Sequence, residues 1–280
     1  MIEVYRFSVM TTPCELRFYN TPKAKCDACA SDILKEAKRL EKKYNYFDPN
    51  SYLSKLNHRQ SRAIDSETKM LLQKAKVYAT TTEGIFDITI ATIKESYNLQ
   101  QLSHLQEQIS RLQEYIGTEN FQIKRNKISF SNPFTKIDLG GMVKEYAVDR
   151  AVVITKKYTI KSALINFGGD IYALGRKPNK EAFQIGIKNP KNPKEELFYI
   201  QLSDMALTTS ASYERKKLIE NQTFSHIISP KKYSTRPLSA TVIAPTALES
   251  GIYSTALMID KTLPIKEKKY IILENLTIVS

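Results

Sequence analysis

Two adjacent glycine pairs, Gly140-Gly141 and Gly168-Gly169, hold four of the nine glycines in a chain of 280 residues. That total is less than half the usual share of roughly 7%. Glycine gives up more backbone entropy on folding than any other residue. A chain this sparing with it places pairs where the backbone turns sharply or lies against something. The first pair divides Lys136-Ile137-Asp138-Leu139 from Met142-Val143-Lys144-Glu145-Tyr146-Ala147-Val148-Asp149, which reads as a strand ending in an acid, two glycines, then a helix. Free amides at a helix start suit phosphate, although a tight strand-to-helix turn explains the spacing equally well. The segment matches neither GxxxxGK[ST] nor GxGxxG. The second pair lies in Ala163-Leu164-Ile165-Asn166-Phe167-Gly168-Gly169-Asp170-Ile171-Tyr172-Ala173-Leu174. Strand, pair, acid, strand favours a bulge or sharp hairpin on spacing alone.

Periodicity supplies the elements around these pairs. Helices are predicted over Asp27 to Tyr46, Ser66 to Tyr78, Leu102 to Ile116 and Val143 to Lys156. Met1 to Met10 alternates like a strand, and Phe121 to Phe130 reads as a hairpin around a polar turn. Short apolar runs follow at Ser162 to Phe167, Phe183 to Ile187, Leu197 to Leu202, Ser239 to Ala244 and Tyr270 to Leu273. Helices fall mostly in the first half and strands in the second, which predicts an α+β fold with an antiparallel or mixed sheet. No repeat or strong linker interrupts the chain, so one domain over 1–280 is expected.

The formal charge is +13, from 42 Lys and Arg against 29 Asp and Glu. The cations are mostly lysine and spread along the chain, whereas base reading favours arginine. A nucleic-acid partner is not expected. A basic field does attract a polyanionic small ligand. The first residues show no signal peptide and no apolar run is long enough to span a membrane, so the expected compartment is cytoplasmic. Cys14, Cys26 and Cys29 fit a reducing environment. Cys26 and Cys29 have redox or half-zinc spacing, but nothing completes a metal site, and an incidental pair at a helix start is the preferred reading.

Other segments carry chemistry less distinctly. In Gly84-Ile85-Phe86-Asp87-Ile88-Thr89 an acid and a hydroxyl follow a glycine that ends a helix. Ala206 to Arg215 packs hydroxyls at Thr208, Thr209, Ser210, Ser212 and Tyr213, and a solvated loop looks the same. His226 borders a turn and titrates near neutrality if unperturbed. Ser254-Thr255-Ala256 follows Gly251 in an apolar stretch.

In order along the chain these pieces resemble the ApbE-like family of FAD:protein FMN transferases, from about Phe7 to Asp260. Gly84, Phe86, Asp87 and Thr89 match one block; Asp138, Leu139, Gly140, Gly141, Lys144, Tyr146 and Asp149 match a second. Asn166, Gly168, Gly169 and Asp170 match a third, and Thr209 to Arg215, His226 to Pro230 and Ser254 to Ala256 echo three more. The resemblance implies transfer of the FMN half of FAD to a Ser or Thr of an acceptor protein, releasing AMP, with Mg²⁺ on the pyrophosphate. By position, Met10, Phe47, Ile85, Phe86, Asp87, Asp138, Lys144 and Ile227 would hold FAD. The Gly141 carbonyl and the Thr255 hydroxyl would ligate Mg²⁺, and His226 would assist deprotonation of the acceptor.

The chain also departs from that pattern. The metal-binding acid expected four residues before Thr255 is Gly251, and Glu249 is the nearest acid in sequence. Family glycines are replaced by Glu145, Ala211 and Tyr233, and the flavin-stacking Tyr is Phe47. Two expectations follow: a transferase with an adjusted metal site, or a catalytically impaired FAD-binding protein on the same fold.

Overall fold

The computed structural model describes residues 1–98, 101–211, 216–219, 222–225 and 237–280. The helices are α1 (Lys23–Tyr44), α2 (Tyr52–Asn57), α3 (Ser66–Thr81), α4 (Ala91–Lys94), α5 (Leu102–Leu112), α6 (Gly140–Lys157) and α7 (Ala247–Ile259). The first strands are β1 (Ile2–Val9), β2 (Thr12–Tyr19), β3 (Phe121–Lys124), β4 (Lys127–Phe130), β5 (Ala163–Phe167), β6 (Asp170–Leu174) and β7 (Phe183–Asn189). They are followed by β8 (Asn192–Leu202), β9 (Met205–Ala211), β10 (Lys216–Ile219), β11 (Gln222–Ser225), β12 (Ser239–Ala244), β13 (Lys268–Ile272) and β14 (Ile278–Val279). The α+β expectation holds: eight strands form one sheet in the order β1-β2-β5-β6-β9-β12-β13-β14. Every neighbouring pair in it is antiparallel.

Side-chain alternation decides what covers each face. Cys14, Leu16 and Phe18 of β2 turn into a core shared with Ile33, Ala37 and Leu40 of α1 and Met142, Val148 and Ala151 of α6. The opposite face carries Tyr19, Ile171, Ala173, Leu207 and Ile272, and the β7–β8 hairpin closes over them with Phe183, Ile185, Ile200 and Leu202. Strand β6 is buried on both sides, which is why an unbroken apolar run, Ile171 to Leu174, follows Asp170. Helix α7 lies beside α6 and packs on β9 and β12. Among the described residues no helix is long and apolar enough to cross a membrane.

Four local expectations are corrected. Lys136 to Leu139 is not a strand. Its backbone pairs with side chains instead: Asn57 Nδ2 donates to Ile137 O at 2.8 Å, Ile137 N donates to Asn57 Oδ1 at 2.9 Å, and Lys136 N donates to Thr92 Oγ1 at 3.1 Å. The helix predicted from Val143 starts at Gly140, so the first glycine pair is its opening turn. The helix expected to reach Ile116 ends at Leu112 and tightens into a 3₁₀ turn over Gln113–Tyr115. The part of the hydroxyl-rich run up to Ala211 is no loop, since it belongs to β9, a central strand between β6 and β12. Cys26 and Cys29 sit inside α1, fully buried, and burial pushes the Cys29 thiol up to about 11, which agrees with an incidental pair.

Candidate functional site

The two glycine pairs do different jobs. Gly168 and Gly169 both have positive φ, 63° and 97°, and join β5 to β6 in a two-residue turn of the kind that fits strand twist. A Cβ on Gly168 would lie 2.1 Å from Thr12 Cγ2, so any larger residue would have to displace Thr12 while adopting a strained positive φ. The turn delivers Asp170 to the first position of β6, buried under the sheet end. Gly140 and Gly141 are ordinary helix, without positive φ. They leave the start of α6 bare, with Gly141 facing the Phe86 ring. Asp138 Oδ1 accepts from Gly140 N at 2.8 Å, and Asp138 Oδ2 is ion-paired with Lys94. The Lys94 ammonium in turn lies 4.5 Å from the centre of the Phe47 ring. That ring is 75% exposed and offers an aromatic surface beside the helix start.

A second group of charges sits one turn further along α6. Lys144 Nζ is 2.6 Å from Asp170 Oδ2 and 3.8 Å from Glu145 Oε1. Asp170 is fully buried; desolvation drives its carboxyl well above the usual range, Lys144 pulls it down, and Glu145 pushes it up again. The Glu145 side chain is 9% exposed, and its Oε2 is buried with no hydrogen-bond partner among the described residues. Its stem lies against α7: a Cβ on Gly251 would be 2.4 Å from Glu145 Cγ. Ser210 of β9 reaches α7, where it hydrogen-bonds Ser254 Oγ at 2.9 Å and Thr255 Oγ1 at 3.2 Å. Asp149 fixes the two helices together by accepting from Ala247 N at 2.7 Å and Leu248 N at 3.1 Å. Burial raises its carboxyl to about 6 despite those bonds.

The sequence blocks that meet here match the family model of the ApbE family over residues 10–271. The chain belongs to the ApbE family. Its curated relatives include proteins named FAD:protein FMN transferase. That of Haemophilus influenzae is 25% identical, with 82% of this chain and 73% of the relative covered. That of Klebsiella pneumoniae is also 25% identical, with 91% and 82% covered. The ApbE protein of Thermotoga maritima superposes over 100% of this chain and 96% of its own, with a TM-score of 0.88 and 27% identity. The flavin transferase ApbE of Vibrio cholerae shares the fold at a TM-score of 0.82 and 19% identity.

Within this ApbE chain the residues picked from sequence fall into three sets. Asp138, Gly141, Lys144 and Phe86 converge on the first turns of α6, and Phe47 joins them through Lys94. Thr255 lies one helical turn beyond Gly251, on the face of α7 that meets Glu145. Met10 sits in the β1–β2 turn with φ 53°, its N donating to Glu41 Oε1 at 2.5 Å, beside Thr12 and the Gly168 turn. Ile85 and Asp87 are committed to structure. Ile85 packs among Ala256 and Leu257 of α7. Asp87 Oδ1 accepts from Thr89 N at 2.7 Å and Thr89 Oγ1 at 2.6 Å, capping the 3₁₀ turn over Ile88–Ile90. His226 and Ile227, with the rest of that block and Ser212 to Arg215, lie outside the described residues.

The geometry adds Glu145, Lys94 and Ser210 to the site. In the sequence Glu145 looks like a lost glycine, yet helical spacing carried its signal. Gly141 and Glu145 are four apart on α6, as Gly251 and Thr255 are on α7, so each pair shares a face. Glu249, the acid nearest Gly251 in sequence, is turned about 200° away around the helix and is surrounded by Glu267 and Lys74. Among the described residues no cluster of three His, Cys, Asp or Glu side chains stands ready for a metal. Mg²⁺ asks for less: one or two carboxylates with other hard oxygens and substrate phosphates. An orphaned, buried carboxylate oxygen at Glu145, the Thr255 hydroxyl and the Gly141 carbonyl fit that donor set.

Proposed function

We propose that this chain is an FAD:protein FMN transferase, which moves FMN from FAD to a Ser or Thr of an acceptor protein in a Mg²⁺-dependent step and releases AMP. The observation that carries the reading is convergence. Segments around residues 12, 86, 138–145, 168–170 and 251–255, far apart in the chain, meet around the first turns of α6. A bare helix start suits an anionic pyrophosphate, and the net charge of +13 favours its approach.

The roles follow from the chemistry. The exposed Phe47 ring stacks the flavin. Lys94 and Lys144 bring positive charge beside Asp138 and Asp170 at the place where the pyrophosphate would lie. The acceptor oxygen attacks the FMN phosphorus, the bond to the bridging oxygen breaks, AMP leaves, and the acceptor proton passes to His226. Mg²⁺, when bound, neutralises charge on the pyrophosphate as that bond breaks. Glu145, Thr255 and the Gly141 carbonyl are the residues that would hold it.

The test is incubation with FAD, MgCl₂ and acceptor proteins, reading flavin fluorescence in a denaturing gel and AMP in solution. Both signals are expected, and both vanish in EDTA. Retained FAD with neither signal, across acceptors and divalent ions, returns the chain to a flavin-binding role without transfer. Phe47→Ala is expected to weaken FAD binding about fivefold, the scale of one aromatic stacking contact, with an unchanged melting curve.

A further inference from the structure

We infer that Glu145 is the carboxylate ligand of the divalent cation in this chain, and that it occupies the space an acid at position 251 would otherwise fill. The inference rests on the transferase reading only for the identity of the site. Its support is the packing of α6 against α7. The Glu145 side chain is nine-tenths buried, crosses to α7 and occupies the position of the missing Gly251 side chain, 2.4 Å from Cγ to the Cβ that glycine lacks. Its Oε2 is left without a hydrogen-bond partner among the described residues. Burying a carboxylate oxygen with no donor is costly, and a native structure that does so has a use for it. Asp170 Oδ2 is likewise buried without a hydrogen-bond partner among the described residues, and among them Lys144 is the one cation within ion-pair distance of either acid. A divalent cation would add positive charge where two neighbouring acids beside one ammonium otherwise keep a proton. Hard oxygens lie close by in the Ser210–Thr255 hydroxyl pair.

The acid and the glycine have exchanged places across the helix contact. A carboxylate at 251 with Glu145 retained overfills the contact, and a glycine at 145 with Gly251 retained leaves no acid there. That reciprocity makes the inference testable by metal binding rather than by activity alone.

Mn²⁺ serves as the probe, followed by calorimetry and by the electron paramagnetic resonance of the free ion, with and without FAD, while circular dichroism checks each fold. The wild-type protein is expected to bind Mn²⁺. Partners one shell out from a metal are worth roughly 10- to 100-fold in affinity, so Glu145→Gln, which keeps the volume, should weaken binding by at least about tenfold. Gly251→Asp alone should lower Tm without tightening binding, and Glu145→Gly combined with Gly251→Asp should return the affinity to within a few-fold of wild type. Wild-type-like binding by Glu145→Gln overturns the inference, as does tighter binding by Gly251→Asp alone or no Mn²⁺ uptake by the wild type. The transferase reading fails separately. If Mn²⁺ binding depends on Glu145 but FAD is never split, the ligand stands and the transferase falls. If FMN is transferred but Glu145→Gln binds Mn²⁺ unchanged, the reverse holds.

Discussion

Helix α6 carries two clusters of charge, and they are balanced differently. On one stretch Tyr146 and Arg150 join a network with α1 and the start of α3. Arg150 pairs with Glu36 at 3.0 Å, Arg39 with Glu36 at 2.8 Å and Glu67 at 2.6 Å, and Lys43 with Asp65 at 2.5 Å and Glu67 at 2.7 Å. Three acids meet three bases. Burial raises the Glu67 carboxyl, but Arg39 and Lys43 outweigh it and hold the group at about 2. On the neighbouring stretch Asp170 and Glu145 share Lys144, and two buried carboxylate oxygens, Glu145 Oε2 and Asp170 Oδ2, have no hydrogen-bond partner among the described residues. The balanced cluster is a tie between three helices. The unbalanced one is built for something that arrives from outside. Balance of charge, more than burial or distance, separates the structural network from the site.

The comparison breaks first, and most visibly, at Lys144. Lys144→Met leaves Asp170 buried beside Glu145 without an ammonium. Stability in urea should fall by about 2 kcal/mol, less than the ~3–5 kcal/mol of a fully buried pair because Lys144 is partly exposed. The loss should be largest at alkaline pH and shrink as pH falls through about 8, where Asp170 binds a proton. An unchanged urea midpoint would mean that this cluster is no site of stored charge.

Next is Glu67→Gln, which should cost about 1 kcal/mol after solvent screening. The effect has a pH signature. The folded value, about 2, lies below the ordinary glutamate value of 4.5, so the contribution is complete above 4.5 and disappears as pH falls toward 2. The acid limb of a stability–pH curve should be shallower in the variant. A curve that superposes on wild type would show the network contributes nothing.

The smallest effect has the opposite sign. In EDTA above about pH 8, where Asp170 is charged as well, Glu145→Gln should stabilise the protein by about 0.5 kcal/mol, since it removes one of two like charges near a single cation. A destabilised variant would place Glu145 with Glu67, as a structural acid. Opposite signs for the same chemical change on two helix-borne glutamates are the sharpest form of the contrast.

Much of the architecture is legible in the sequence. The β3–β4 hairpin, β12 and the long helices α1 and α3 follow from alternation and 3.6-residue periodicity. Helix α7 did not. Ten of its thirteen residues are buried, so it has no polar face to mark a period. The strand character of β9 is hidden because two of its hydroxyls are taken up across strands and helices, Thr209 by Thr241 at 2.8 Å and Ser210 by Ser254 at 2.9 Å, rather than by water. The stretch before Gly140 misled in the other direction: Ile137 and Leu139 alternate like a strand, but the pairing partner is Asn57, a side chain. In the site, Asp138, Gly141, Lys144 and Thr255 were identifiable because they stand in recognisable blocks. Glu145 was not, since it appeared only as a departure, and its meaning depends on a residue over a hundred positions away.

The contact between Glu145 and Gly251 also has an evolutionary consequence. If 251 gains a side chain first, the helix contact is overpacked. If 145 gives up its carboxylate first, the cluster is left without that acid. Each single step toward the other arrangement passes through a worse protein, while the two together are neutral. The pair therefore behaves as one inherited character, and a reader scoring each position alone counts two losses where the molecule has made one relocation.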